Sequence, residues 1–497
     1  MEFRPERIDM DTVILLTFAG IPLVGLTGFL LSKWTCTISK ACLAARFQQW
    51  SLANITGVFA ACVSVLLISI SSAGRGHLDS TGNASGMAMF FTMLFASYKF
   101  GFHDIVRISR EAAWRIHYTL GLMTLVIGFA HLVLVFDELG ARVVFGRLKA
   151  VFGLVGLVLM FMGTVPAKFL IYDHFKVLHF LSFIGLLFTV YHMVDAALLH
   201  RSLVSIVTAV VNCVVLLGYL AQRIYIWVSS GKAVVKKSEV SRTGHIFLYL
   251  SVPGFKFQPG QWSRLYIPSI SAVAHPFTLI PANGRHDANV AIFMKVSGEF
   301  TTKLASALEG KEKLEISLQP PYGRPCPMTT DAVIFVLGGV GVTPALSLLP
   351  AEAAKGKKVS IYWSLRSQAL CQESLPFFQH LLDDENLSCV KVKDSNLVQQ
   401  PESIPTWLEK MAASYDSKGL SSATIFVCGP ASMAEEVRRT LDSDKWPKSS
   451  IKWQLHVEEF QFLPKVLQPD ARRVSKTGGN SKECATQAAH SGGHEQV

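Results

Sequence analysis

The chain has 497 residues, half of them hydrophobic and 17% charged, with nine cysteines and a formal net charge of +11. So few charges with a positive mean hydropathy (+0.35) exclude an intrinsically disordered chain and argue against an ordinary soluble enzyme. The length suggests two to four domains, and no nucleic-acid partner is expected, because no long basic run or basic aromatic face is present and the loop charges of a membrane protein account for the basic excess.

The average mixes two unlike halves. Residues 1–230 carry 17 Lys/Arg and 11 Asp/Glu, and residues 231–497 carry 30 and 25. Apolar stretches long enough to cross a bilayer are predicted at 12–32, 51–71, 85–101, 114–136, 149–171, 176–199 and 203–228, making 1–230 a membrane domain. The first has too long an apolar core for a signal peptide and no small-x-small cleavage site after it, so it is read as a helix that stays. Seven crossings put the two ends on opposite sides. With the second half in the cytosol, the short loops on that side sum to +7 and those on the other side to −1. The positive-inside rule therefore predicts a cytosolic C-terminal half and an external N-terminus. Asn83-Ala84-Ser85 then falls outside as a potential glycan acceptor. The cysteines form no C-x-x-C pair, which supports neither a zinc site nor a disulfide framework, and the five in the second half suit a reducing cytosol.

Ionisable rings inside membrane helices are expensive, so each needs a reason. The fourth span carries His117 and His131, whose spacing of 14 is about 21 Å of rise and about 40° of rotation on an ideal helix. The sixth carries His179 and His192, 13 residues and about 20 Å apart. Two helices thus present rings at matching depths, the geometry for two stacked b-type haems. The expected ligand pairs are His117 with His179 near the cytosol and His131 with His192 near the outside. Any one of these rings reads better as a polar residue bonded to a carbonyl; four at paired depths favour haem iron. Thirteen residues rotate by about 140°, so either the sixth helix is distorted or the haems approach it from different sides. Iron held by two histidines has no open site and carries electrons instead of activating oxygen by inner-sphere binding.

Beyond Trp227 the pattern changes. Short alternating runs such as 246–250 and 262–267, with Pro and Gly between them, predict a small antiparallel barrel over 240–325. Strand-like runs at 332–337, 359–364 and 424–428, separated by helical text, predict a parallel α/β sheet over 330–462. Residues 463–497 read as a disordered tail. The fold class is a multi-pass α-helical membrane bundle of about seven helices followed by a β-barrel and an α/β nucleotide-binding domain.

Specific motifs sit on this frame. His275-Pro276-Phe277-Thr278, preceded by Pro259-Gly260-Gln261-Trp262, resembles the flavin motif of the ferredoxin-reductase-like flavoproteins, in the variant used by ferric reductases and NADPH oxidases. The resemblance covers about 85–462 and implies FAD. It puts Phe277 against the isoalloxazine and the Thr278 hydroxyl near flavin N5, with His275 and Pro276 in the same strand. The stretch Lys295-Val296-Ser297-Gly298-Glu299-Phe300-Thr301 resembles the diphosphate-binding segment, through Lys295, Ser297, Gly298 and Thr301. A Gly turn and a helix N-terminus offer N–H groups to an anion there. Gly338-Gly339-Val340-Gly341-Val342-Thr343-Pro344 follows an apolar strand, and its glycines let the backbone approach a pyrophosphate. Together with Cys428-Gly429-Pro430, ending a later strand, it implies nicotinamide binding at Cys428, close to the flavin. Arg366 is at a strand end where it would bind a 2′-phosphate and select NADPH; a solvated arginine is the plain alternative. Phe460 or Phe462 is a candidate to cover the flavin, an ordinary last strand being equally compatible.

The resemblance implies a transmembrane NADPH-dependent ferric (metal-chelate) reductase. Hydride passes to FAD, and single electrons then pass through two haems to an acceptor across the membrane, since hydride carries two electrons and haem takes one. The first helix, extra to the usual six, resembles ferric reductases more than the simplest NADPH oxidases. Outer loops at 72–84, 137–148 and 200–202 are short and leave the outer haem open to a bulky ferric or cupric chelate. Oxygen as acceptor, giving superoxide, is the alternative; a haem or ion transporter with a regulatory soluble half is a third reading. The bilayer is the expected surrounding, in the plasma membrane or an intracellular one.

Overall fold

The computed structural model describes residues 77–96, 110–170, 172–323, 328–353, 355–365, 372, 387–394, 402–444, 446–447 and 450–458. The predicted spans at 12–32 and 51–71, the end of the third, Arg366, Phe460, Phe462 and the tail at 463–497 lie outside the described residues.

Among the described residues, five α-helices make up the first half: α1 (His77–Leu94), α2 (Arg110–Gly146), α3 (Leu148–Thr164), α4 (Tyr172–His200) and α5 (Leu203–Val228). Ile116–Arg142 within α2, and the whole of α4 and α5, are long and apolar enough to cross a membrane; α3 is a shorter apolar helix. Apolar side chains such as Val126, Val133, Phe180 and Leu217 point outward, as a lipid-facing surface requires. Helices α3 and α4 touch through small residues. A Cβ on Gly156 would lie 2.8 Å from the Gly185 carbonyl oxygen, and one on Gly185 2.5 Å from that of Gly156. Such contacts let membrane helices pack backbone to backbone.

Two expectations about the outer side are corrected. Residues 77–84 and 137–146, expected as loops, are helical, with α2 broken only at Gly140 (φ 73°, ψ 159°). Asn83 is 8% exposed inside α1, so the fold leaves no room there for a glycan.

Two residues after α5 the chain enters β1 (Gly231–Val240), followed by β2 (His245–Ser251), β3 (Trp262–Tyr266), β4 (His275–Thr278), β5 (Ile280–Pro281), β6 (Val290–Lys295), α6 (Glu299–Glu309) and β7 (Ile316–Leu318). The strands are ordered β4-β3-β7-β1-β2-β6-β5, with antiparallel pairing throughout. Its two edge strands are joined by Leu279, whose N–H donates to the Gln261 carbonyl (3.0 Å), so the sheet closes into a barrel. The barrel starts at 231 and not near 240: β1 is mostly exposed and carries Lys232, Lys236 and Lys237, which hides it from a search for buried alternation.

The third unit comprises β8 (Ala332–Gly338), α7 (Thr343–Ala353), β9 (Lys358–Leu365), β10 (Leu387–Asp394), α8 (Ile404–Ser417), β11 (Ser422–Cys428), α9 (Ala431–Leu441) and β12 (Lys452–Glu458). Its sheet is parallel, in the order β10-β9-β8-β11-β12. The order reverses between β8 and β11, and a crevice for ligands forms at the C-terminal ends of strands at such a switch point. One apolar core joins this sheet to the barrel, with Phe247, Ile280 and Phe293 packed among Phe335, Leu346 and Leu349. Buried Ser347 pins the junction: its hydroxyl accepts from Gly260 N–H (2.8 Å) and donates to the Leu279 carbonyl (2.7 Å).

His456 on β12 stacks on Phe426 at 5.0 Å, and burial holds its pKa below the usual 6.5. The unfolded chain then binds this proton first, so stability contributed by neutral His456 is intact above pH 6.5 and is lost as pH falls below it. His456→Phe is expected to reduce the fall in Tm between pH 6.5 and about pH 5, measured by thermal melts of the solubilised protein.

Candidate functional site

His117 on α2 and His179 on α4 face each other, ring centres 6.2 Å apart and planes at 87°. A metal held between two imidazole nitrogens at about 2 Å each separates the ring centres by roughly 6 Å, so this pair fits an axially ligated iron. The second pair, His131 and His192, lies within electrostatic reach across the same two helices.

In all four rings Nδ1 is already engaged. It meets the Thr92 carbonyl in His117 (2.9 Å), the Gly163 carbonyl in His179 (2.9 Å), the Lys149 carbonyl in His192 (3.0 Å) and the Thr81 hydroxyl in His131 (3.0 Å). The Thr81 hydroxyl donates to the Leu78 carbonyl, so its oxygen accepts from His131. Nδ1 thus carries the proton and Nε2 keeps the lone pair, the tautomer that metal ligation requires. Glycines make room for the second pair of rings: a Cβ on Gly82 would sit 3.1 Å from His131 Cε1, and one on Gly153 2.9 Å from His192 Cγ. The 13-residue offset is met without distorting the helix. α4 runs unbroken, and the rings of His179 and His192 both turn onto carbonyls of α3.

In the barrel, His275, Pro276, Phe277 and Thr278 make up β4, with Phe277 opposite Ser263 and Thr278 opposite Trp262. His275 stacks on Phe300 at 4.0 Å, and Phe277 lies 6.0 Å from the same ring. The flavin motif is thereby set beside the N-terminus of α6, where Lys295, Ser297, Gly298 and Thr301 converge. One detail is corrected there. The Thr301 hydroxyl accepts from the N–H groups of Ser297 (3.0 Å) and Gly298 (3.1 Å), so these two amides serve the helix cap. The amides left to bind an anion would be those of the first turn of α6, which have no intrahelical acceptors.

At the switch point, Gly338 and Gly339 lead through a tight turn to Gly341, then Thr343 and Pro344 open α7. A Cβ on Gly341 would lie 2.2 Å from the Cys428 carbonyl oxygen, and Gly338 packs against Gly429 and Pro430. The Trp363 indole donates to the Gly339 carbonyl (2.9 Å) and the Thr343 hydroxyl to that of Val340 (3.1 Å), which fixes the turn. The two segments that sequence reading assigned to the nicotinamide, nearly 90 residues apart, therefore form one surface. Cys428, the residue expected at the nicotinamide, is buried beside Gly341, and burial pushes its pKa well up. Thr278 is also buried.

A contact that sequence reasoning missed joins the membrane half to the barrel. Asp173, in the first turn of α4, lies 3.1 Å from His275 Nε2 and accepts from the Ser271 hydroxyl (2.8 Å). Beside it, Arg264 donates to the Tyr172 hydroxyl (3.0 Å). The available signal was an acid among the basic residues of the inner face.

Residues 233–326 match an FAD-binding domain family and residues 335–439 the oxidoreductase NAD-binding domain family. NADPH oxidase 4 from Pongo abelii is 28% identical over 149 residues, 26% of this chain and 26% of that protein. Probable ferric reduction oxidase 1 from Arabidopsis thaliana is 31% identical over 108 residues, 20% of this chain and 15% of that protein. The reductase component of propane 2-monooxygenase from Mycolicibacterium goodii is 24% identical over 209 residues, 40% of this chain and 59% of that protein. The chain spans about a quarter of the length of the first of these relatives. FAD-binding and NAD(P)H-binding domains are thus both present.

Proposed function

We propose that the chain is a member of the superfamily of ferric reductases and NADPH oxidases and that it moves electrons from cytosolic NADPH through FAD and two b-type haems to a ferric chelate across the membrane, a reading supported by the two matched domains and the similar relatives. The observation that carries this reading is the set of four membrane histidines, each with Nδ1 anchored and Nε2 left for a metal, directly beyond a flavin-type barrel.

When bound, NADPH supplies a hydride, FAD divides the electron pair, and the haems relay single electrons. The chain's own residues hold and orient these groups. His117 and His179 would hold the inner iron, and His131 and His192 the outer one. Phe277 and Thr278 would line the isoalloxazine, with Lys295, Ser297, Gly298 and Thr301 around the diphosphate. The turn from Gly338 to Pro344, with Cys428, Gly429 and Pro430, would receive the nicotinamide nucleotide, and Arg366 its 2′-phosphate. The two-residue passage from α5 into β1 keeps the barrel against one membrane face. The basic residues of the short loops support a cytosolic side for that face, and the plasma membrane is the proposed home.

Oxygen as acceptor is the second reading. It is favoured by the segments at that end being helical and cross-linked, Lys149 pairing with Asp195 and His200 Nδ1 lying 3.7 Å from Asp79, where short open loops were expected. The test uses purified protein with NADPH, ferric citrate and oxygen, with and without superoxide dismutase. Ferric reduction is expected to persist with the dismutase and under anaerobic conditions; loss of iron reduction on adding it would leave the oxidase reading standing. A purified protein that binds no flavin would instead restore the transporter reading.

A further inference from the structure

We propose that Asp173, acting through His275, is a positioning residue that docks the flavin motif onto helix α4 and sets electron transfer from the flavin to the inner haem. The inference rests on the reading of the preceding subsection and concerns the contact between its two halves.

Asp173 uses both carboxylate oxygens. Oδ1 receives His275 Nε2 at 3.1 Å, and Oδ2 receives the Ser271 hydroxyl at 2.8 Å. The Ser271 oxygen in turn accepts from Val273 N–H (3.0 Å), which ties the loop before β4 into the same cluster. Tyr172 adds its ring against His275 (5.5 Å between centres) and its hydroxyl to Arg264 of β3, a side chain 6% exposed. On its other face His275 stacks on Phe300 of α6, the helix whose N-terminus is the candidate diphosphate site. One turn of α4 therefore grips both parts of the flavin site. The same helix runs unbroken to His179, six residues on, about 9 Å of rise away. The flavin motif and the inner iron ligand are thus referenced to one rigid element.

A carboxylate suits this place. Neutral His275 donates one N–H, Ser271 donates one O–H, and a single carboxylate accepts both with its two oxygens. Removing it takes away the acceptor that His275 and Ser271 share, leaving them only their own 3.4 Å contact, and frees β4 to shift against α4. Misplacement of a reacting group by about 1 Å costs on the order of a hundredfold in rate, so a docking contact acts on the transfer step without touching the reacting atoms.

The experiment compares full-length wild type, Asp173→Ala and Asp173→Glu in nanodiscs. In Asp173→Ala, FAD content and NADPH-driven reduction of a soluble dye that takes electrons at the flavin should stay near wild type. Anaerobic haem reduction by NADPH, followed by stopped-flow absorbance, should slow by on the order of ten- to a hundredfold. Asp173→Glu should recover part of that loss. Independently, hydrogen exchange on cofactor-free protein should rise across residues 267–278 in Asp173→Ala and stay unchanged in the parallel sheet. A parallel fall in dye and haem reduction, haem reduction at the wild-type rate, or unchanged exchange at 267–278 would each overturn the proposal. A wild type that takes up no haem would defeat the functional reading instead, and the exchange measurement would still decide the docking.

Discussion

Replacing His192 with alanine is expected to yield a folded protein with about half of its haem, and a reduced-minus-oxidised spectrum with its α-band lowered to match. With one of its two proposed ligands removed the iron would be held by the other alone, and the ring of His192 is placed for that role. Its Nδ1 is committed to the Lys149 carbonyl and its edge is accommodated by Gly153. His131→Ala should produce the same spectrum, because the two rings serve one centre. Alanine at His117 or His179 should remove the other haem and stop NADPH-driven reduction of the haem that remains, since the inner centre stands between it and the flavin. A subtler variant separates ligation from packing. Thr81→Val keeps the His131 ring but removes the acceptor of its Nδ1 proton, and loss of such an outer partner costs about 10–100-fold in metal affinity. Haem-to-protein ratios are measured by pyridine haemochrome. An unchanged ratio in all four alanine variants would defeat the ligand assignment.

Gly341→Ala should abolish NADPH-driven reduction while leaving dithionite reduction of the haems intact. The added methyl would stand 2.2 Å from the Cys428 carbonyl oxygen and 2.8 Å from its carbonyl carbon, both backbone atoms at the end of a buried strand. One of the two loops of the switch-point crevice must then move. Overpacking of this kind costs about 1–3 kcal/mol, enough to lower Tm by several degrees as well as to open the nucleotide site. Gly218→Ala is the control. A Cβ there meets nothing within 4 Å, so NADPH oxidation and Tm should both match wild type. Stopped-flow NADPH oxidation and thermal melts read the two effects. Wild-type NADPH kinetics in Gly341→Ala would show that the glycine turn is not the nucleotide site.

Much of this molecule is written in local pattern. Apolar length marks helices that cross a bilayer, because every buried backbone group there must be satisfied within its own segment. The spacing of His117 and His131 converts directly into depth, since an α-helix has a fixed rise per residue. The glycine turn at 338–344 and the β4 motif were legible because each needs particular residues at consecutive positions, and both family matches fall on them. The barrel's first strand was harder to see, since its exposed lysines mask the alternation that a buried strand shows.

Other features had no local trace. Helix rotation placed Asn83 inside the bundle, where the sequon alone suggested a surface site. The period of 13 between His179 and His192 left their facing unresolved until α3 supplied a carbonyl to each. Cys428 ends its strand where the motif implied, and only the packing shows it buried beside Gly341. The grip of Asp173 on the flavin motif joins residues 98 positions apart through the Ser271 hydroxyl. The sequence by itself determined the class of most elements, the spacing of the rings along each helix and the order of the domains, because these follow from periodicity and composition along a short window. Only the tertiary structure decided which way rings turn, which side chains are covered and where the two halves touch, because those depend on how separately formed elements pack against one another.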